Sequence, residues 1–170
     1  MEPKHAKYHR LIARCQTLAP IPTAVVHPCD RSSLEGAVEA AQRGLIVPIL
    51  VGPRGRIESV AAEYKLSISD YQIVDAPFSE ASAAAAVQLV RKGKAEALMK
   101  GSLHTDELMA EVVRRDGGLR TGRRISHCFI MDVPAHADPL IVTDAAVNIA
   151  PTLEEKVDIL QNAIDLAQAL

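Results

Sequence analysis

The 170-residue sequence predicts an α/β fold: a parallel sheet with helices on both faces, in three layers, plus the beginning of a second α/β domain. Three observations predict it. Short β-branched runs alternate with longer segments of helical period, and that alternation needs crossover connections and hence parallel strands. Hydrophobic residues make up 48% and charged residues 24%, the balance of a globular chain. Aromatics are only 3%, with no Trp, so the core must be built from Ala, Val, Leu and Ile.

Taken in order, Thr23–His27 (TAVVH) reads as the first strand, and the following Pro28-Cys29-Asp30 as a turn. Ser32-Ser-Leu-Glu35 has the form of a capping box, in which the serine hydroxyl accepts from a helix amide and the glutamate reaches back. Leu34, Ala37, Val38 and Ala41 then mark one apolar helix face, and Gly44 stops the helix. Ile46–Val51 is a second strand with no polar side chain, which reads as buried on both faces. Pro48 removes one ladder donor there, which fits an edge position or a bulge. Gly52-Pro53 turns into a helix carrying Ile57, Val60, Ala61 and Tyr64. Ile73–Val74 is a third strand, Ser79 opens an alanine-rich helix closing at Gly93, and Ala97–Met99 is the fourth strand. Thr105 is read as the N-cap of a helix bearing Leu108, Met109, Val112 and Val113.

After Gly118 the rhythm changes. Ile125–Val133 and Leu140–Thr143 are strand-like runs joined by a proline-containing loop, a hairpin or a domain crossing rather than another βαβ unit. Thr152-Leu-Glu-Glu155 is a second capping box, before a helix with Leu153, Val157, Leu160, Ile164 and Ala167 on one face. That apolar face reaches Leu170 without a C-cap glycine, which reads as a helix whose continuation is missing. The domain boundary is placed accordingly: residues 1–124 form the first α/β domain and 125–170 the start of an incomplete second one.

Composition excludes several classes of function. A net charge of −2 gives no general attraction to nucleic acid or to acidic membranes, and the scarcity of aromatics argues against stacking on single strands. Cys15, Cys29 and Cys128 are too far apart for a CxxC metal pair or a disulfide framework. No apolar run approaches the roughly 18 residues a membrane helix requires, and the basic N-terminal segment has no secretory h-region. Walker-type, GxGxxG and GxSxG motifs are absent. The sequence is read as that of a cytoplasmic protein with no bound metal and no resident cofactor.

The chemistry concentrates in LMKGSLHTDELMAEVVRRDGGLRTGRRISH, residues 98–127. Lys100 and Gly101 follow the fourth strand, and open parallel sheets bind ligands beyond the carboxyl ends of their strands. Lys100 fits a point charge on a phosphate as well as it fits a solvated strand end. Arg120 with Arg123 or Arg124 has the composition of a guanidinium clamp, because planar donors match phosphate bidentately. Glycines, hydroxyls and a helix opening at Thr105 complete an anion-binding signature. Asp144 and Asn148 follow the last strand, where turn formation is the ordinary role of both.

LMKGSLHTDEL, GLRTGRRISH and TDAAVNIAPTLEEK, in this order, resemble the phosphate acetyl/butyryltransferase family, including the acyltransferase part of bifunctional enoyl-CoA hydratase/phosphate acetyltransferases; TAVVHPCDRSSLEGAVEAA fits the same pattern. The resemblance covers essentially all 170 residues. It implies two α/β domains with a cleft between them, transfer of an acetyl or butyryl group between coenzyme A and inorganic phosphate, and a homodimer. Coenzyme A is a substrate in that chemistry, not a cofactor. The resemblance implies that Lys100, Gly101, Arg120, Thr121, Ser126, Asp144 and Asn148 face or support the cleft; Thr105 and Arg123 join them from the phosphate signature. It ends at NAIDLAQAL, about halfway along such enzymes. The serine, arginine and aspartate credited there with orienting the acyl group and taking the thiol proton have no counterpart in these residues, so the chain alone is expected to be inactive. The alternative is a noncatalytic ligand-binding or assembly fragment of the same fold. A decarboxylating dehydrogenase-like protein would need a metal-binding carboxylate cluster, and Asp132, Asp138 and Asp144 are too loosely spaced for one.

Overall fold

The computed structural model describes residues 5–170; residues 1–4 lie outside the description. The chain divides into two compact units, Leu18–Arg120, and Thr121–Leu170 together with the N-terminal residues through Thr17. No helix among the described residues is long and apolar enough to cross a membrane.

The Leu18–Arg120 unit is a parallel sheet of β1 (Ile21–Val26), β2 (Ile46–Gly52), β3 (Gln72–Asp75) and β4 (Ala97–Lys100), in the order β3-β2-β1-β4. Successive residues of a strand point to opposite faces, and both faces are apolar. Ala24, Val26, Ile49 and Val51 pack under α4 (Ser79–Arg91) and α5 (Thr105–Val112), whereas Val25 and Leu50 pack under α2 (Arg31–Gln42) and α3 (Arg54–Tyr64). Three layers result. The alanines of α4 have a structural purpose: Ala83 and Ala86 are fully buried and let the helix lie close to the sheet.

Pro48 lies in an interior strand, not at an edge. β3 begins pairing only at Ile49, and Ala76 N donates to Gly52 O, so the even-numbered residues of β2 turn their backbone toward β3. The missing N–H of Pro48 therefore falls just before that neighbour starts, where no ladder bond is lost.

Two N-caps differ from the sequence reading. Asp30, not Ser32, caps α2: its carboxylate accepts from Ser33 N at 2.8 Å, and Glu35 pairs with Arg31 instead of reaching back. His104, not Thr105, precedes α5, with its amide donating to Glu107 at 2.7 Å. Gly44 and Gly93 take positive φ just after their helices, as C-terminal glycines do.

The second unit contains α1 (Ala6–Cys15), the antiparallel strands β5 (Phe129–Met131) and β6 (Leu140–Val142), and α6 (Leu153–Ala169). The strands are shorter than the apolar runs that announced them, and His127 and Cys128 lie outside β5. Helix α1 has no counterpart in the sequence reading. Its Lys7 is buried and donates to Asp132 at 3.1 Å and to Val133 O at 2.7 Å. The Thr152 capping box is present: Thr152 Oγ1 accepts from Glu155 N, and Thr152 N donates to Glu155 at 2.9 Å.

The apolar stripe of α6 faces outward. Ile159 and Ala163 are buried, while Leu153, Val157, Leu160 and Ile164 are 79%, 62%, 58% and 40% exposed. The inward face also carries Glu155, Asp158 and Asn162, which bind the chain around Arg123 and Arg124. Those polar bonds fix the rotation of the helix.

Leu50 is fully buried against Leu34 and Ile57 in the layer under α2 and α3. Leu50→Ala is expected to lower stability by about 2–5 kcal/mol, read as a shifted urea midpoint; an unchanged midpoint would contradict this packing.

Candidate functional site

The strand order reverses direction between β1 and β4: α2 and α3 lead outward on one face, and α4 returns on the other. Open parallel sheets bind ligands beyond the carboxyl ends of the strands at such a switch point. Here the loops after the two strands are His27–Asp30 and Gly101–His104.

They are tied together. Gly101 N donates to Val26 O at 2.8 Å, and Ser102 N donates to His27 O at 3.0 Å. Ser102 Oγ donates to His27 O at 2.8 Å and accepts from Cys29 N at 3.2 Å. The approach leaves no room for a side chain at Gly101, where a Cβ would sit 2.4 Å from Val26 O and 2.6 Å from His27 O. This glycine is needed for closeness, not for an unusual φ.

His27 adopts a left-handed backbone with φ 56°, uncommon without glycine though histidine is enriched there. Its Nδ1 lies 3.0 Å from Ser82 Oγ, whose proton is given to Phe78 O at 2.8 Å. The serine can therefore only accept from the ring, which places the imidazole hydrogen on Nδ1. Burial, helped by Arg56, lowers the His27 pKa against the opposing pull of Glu107 and Glu80. The ring is neutral at physiological pH and Nε2 is an acceptor. Burial also raises the Cys29 pKa, so this thiol is not an activated nucleophile.

Lys100 stands exposed at the end of β4; its Nζ has only the Gly101 carbonyl as a hydrogen-bond partner, at 3.3 Å. The neighbouring Asp30 carboxylate is held below its usual pKa by the Ser33 hydroxyl and amide, with Lys100 and Arg56 adding to the effect. Thr105 is the first residue of α5, and Arg120 is exposed and forms no ion pair among the described residues.

Thr121, Arg123, Ser126, Asp144 and Asn148 lie in the second unit, and most of them join one network. Arg123 pairs with Asp165 at 2.5 Å, and its amide donates to Thr121 Oγ1 at 3.2 Å. Arg124 pairs with Glu155 at 2.8 Å, donates from Nε to Asn148 at 2.7 Å, and is held at its amide by Asp158. Asn162 donates to Arg124 O and to Ser126 Oγ. The Asn148 amide donates to Ile125 O and to Asp144. Both arginine charges are thus met by carboxylates of their own unit. Sequence reasoning missed those carboxylates, although Glu155, Asp158, Asn162 and Asp165 recur at 3-4-3 spacing, a helix face that was there to be read. It also passed over His27 and its Ser82 partner.

Burial works against the Asp144 carboxylate, but the amides of Val147 and Ala146, the Asn148 side chain and the His127 backbone outweigh it, and its pKa falls to about 2. Next to it, His127 Nδ1 is buried without a partner.

The Leu18–Arg120 unit is thus of the doubly wound α/β class, with Lys100 exposed at its switch point. Sequence comparison makes it particular: residues 77–170 match the family described as Phosphate acetyl/butaryl transferase. The chain belongs to this family. A phosphate acetyltransferase of Rhizobium meliloti is 60% identical over 97% of this chain and 52% of its own length. A phosphate butyryltransferase of Clostridium acetobutylicum is 32% identical over 96% of this chain and 54% of its own. Among solved structures, a phosphotransacetylase from Streptococcus pyogenes superposes with a TM-score of 0.78 at 18% identity, covering 94% of this chain and 58% of that one, which shows the shared fold. The chain spans about half the length of the curated relatives it matches.

Gly101→Ala is expected to cost about 1–3 kcal/mol through overpacking against two backbone carbonyls, seen as a lower urea midpoint; a wild-type midpoint would refute the close approach. For Asp144 the folded pKa lies below the unfolded value of roughly 3.9. Its contribution is present above that value and is lost as pH falls toward about 2. Amide exchange in β5 and β6 should accelerate through this window, and Asp144→Asn should flatten the dependence. A variant with the wild-type pH profile would show that the carboxylate is not responsible.

Proposed function

We propose that the protein carrying this chain transfers an acetyl or butyryl group between coenzyme A and inorganic phosphate. Family membership carries the reading, supported by the exposed Lys100 at the β1/β4 switch point. A phosphate oxygen attacks the thioester carbonyl, the C–O bond forms as the C–S bond breaks, and the thiolate leaves to become the CoA thiol. No protein nucleophile is required, in keeping with the raised pKa of Cys29.

In this reading Lys100 supplies positive charge to the incoming phosphate, and Gly101 lets the backbone close beneath it. Thr105 belongs to the helix opening beside that turn. Arg120 is the second cation, since Arg123 and Arg124 are engaged by carboxylates of α6. Thr121, Arg123, Ser126, Asp144 and Asn148 shape and support the binding segment. Coenzyme A is the substrate, with no resident cofactor. The protein works in the cytoplasm, as a homodimer.

Calorimetry of this chain with phosphate and with coenzyme A tests the reading. Loss of one charge-assisted hydrogen bond costs about 1.5–3 kcal/mol, so Lys100→Ala and Arg120→Ala should each weaken phosphate binding roughly ten-fold or more. Arg123→Ala should have the smaller effect. Wild-type affinity in both Lys100→Ala and Arg120→Ala would sink the proposed anion site.

A further inference from the structure

The charged groups that act on the His27 ring come from the first turns of three helices: Arg56 of α3, Glu80 of α4 and Glu107 of α5. All lie in the Leu18–Arg120 unit. The two carboxylates have local partners. The Ser79 hydroxyl stands 2.7 Å from Glu107 and 3.1 Å from Glu80, and His104 N donates to Glu107 at 2.7 Å. The exposed Arg56 side chain has no hydrogen bond or ion pair among the described residues, yet its charge reaches His27, Cys29 and Asp30. Lys100, whose charge also reaches Asp30, is paired in register with Val26, the residue before His27. Two cations without carboxylate partners among the described residues therefore stand near the end of β1. His27 itself is only 7% exposed. Its Nδ1 is committed to Ser82, and its Nε2 has no hydrogen-bond partner among the described residues. Unlike His127 Nδ1, that nitrogen is not sealed from the surface. A nearly buried ring thus presents one acceptor nitrogen amid unpaired positive charge.

We propose that His27 Nε2 is a specificity-determining acceptor of the anion site: it takes a hydrogen bond from a P–OH group and so selects hydrogen phosphate over a fully deprotonated oxyanion such as sulfate. The proposal deepens the acyl-transfer reading and rests on it for the identity of the anion. Cations alone make this distinction poorly, because phosphate and sulfate share a tetrahedral shape and similar charge. Their donor inventories differ. Inorganic phosphate keeps at least one hydroxyl at neutral pH, whereas sulfate has only acceptor oxygens. Against sulfate the Nε2 lone pair meets a second acceptor and stays unsatisfied. A site built around a hydrogen bond to a ligand hydroxyl rejects the analogue that lacks it more strongly than shape alone would. The local structure fixes the acceptor. Ser82 gives its proton to Phe78 O, so the imidazole hydrogen stays on Nδ1 and Nε2 keeps its lone pair. Burial and the Arg56 charge hold the His27 pKa down against Glu107 and Glu80, which opposes conversion of Nε2 into a donor.

Calorimetry of this chain with sodium phosphate and with sodium sulfate, at neutral pH and matched ionic strength, tests the selection. The wild-type chain should prefer phosphate roughly ten- to hundred-fold, the range for one unsatisfied hydrogen-bonding group. His27→Asn keeps a residue tolerant of the left-handed backbone and an amide able to donate to Ser82, but it has no atom at the Nε2 position. It should abolish the preference. Arg56→Ala, which removes charge and no acceptor, should weaken both anions and keep the preference. Nitrogen NMR of the wild-type histidines makes the test independent of how the variants fold. At equal occupancy, the His27 Nε2 resonance should move more with phosphate than with sulfate. Equal wild-type affinities, a preference that survives in His27→Asn or disappears in Arg56→Ala, or an Nε2 resonance indifferent to bound phosphate overturns the selection and leaves the acyl-transfer reading standing. A chain that binds no phosphate overturns the selection together with the anion site on which that reading draws.

Discussion

The approach of Gly101 to the last carbonyls of β1 is the constraint on which the candidate site depends. The reversal of the sheet brings β1 and β4 side by side, but adjacency alone would leave their loops independent. With no Cβ at Gly101, its amide reaches Val26 O and Ser102 reaches His27 O and Cys29 N in the next step. Two loops 70 residues apart in sequence become one hydrogen-bonded rim. The left-handed backbone of His27 belongs to the same construction: with φ 56° the chain turns so that its carbonyl is available to Ser102, while the ring is anchored on Ser82. Strain at one residue is offset by a set of bonds that no extended residue would make.

Electrostatics divides the candidate residues differently from their spacing in the sequence. Among the described residues Lys100 and Arg120 form no ion pair, whereas Arg123 and Arg124 are met by Asp165 and Glu155. A half-exposed ion pair is worth little by itself. Here the arginine segments also make directional hydrogen bonds through Asn148, Asn162 and the Arg124 amide to Asp158, most of them charge-assisted, so geometry adds to charge in holding them. That network explains why α6 turns its carboxylate stripe inward and its leucines out.

Much of the fold was legible in the residues because the signals were local. The runs AVV, ILV and ALM could only be strands, Gly44 and Gly93 could only end helices, and Thr152 had its Glu155 three residues on. Failures occurred where two local signals competed or where a distant partner decided. Asp30 and Ser32 are both good caps, and the choice fell to the carboxylate that Ser33 could reach with both amide and hydroxyl. The apolar stripe of α6 was legible as a stripe, but the direction it faces was not, since its orientation depends on arginines some 30 to 40 residues away. The position of Lys100 and Gly101 at the end of β4 was legible because strand end and glycine are adjacent. His27 was not, because its meaning comes from Ser82 on another element.

The same comparison bears on how the candidate anion site should be weighed. Three arginines in five residues made the strongest sequence signal, yet two of them have carboxylate partners, whereas Lys100 after β4 meets only a carbonyl among the described residues. A cation recruits an anion only to the extent that its own protein leaves it unpaired, because a ligand must otherwise displace an existing carboxylate. Among the described residues Lys100 meets that condition with one long carbonyl contact, and Arg120 without an ion pair. Asp30, a carboxylate that feels the Lys100 charge, is already committed to Ser33 at the start of α2. The arginine-rich turn thus acts as the brace that orients α6.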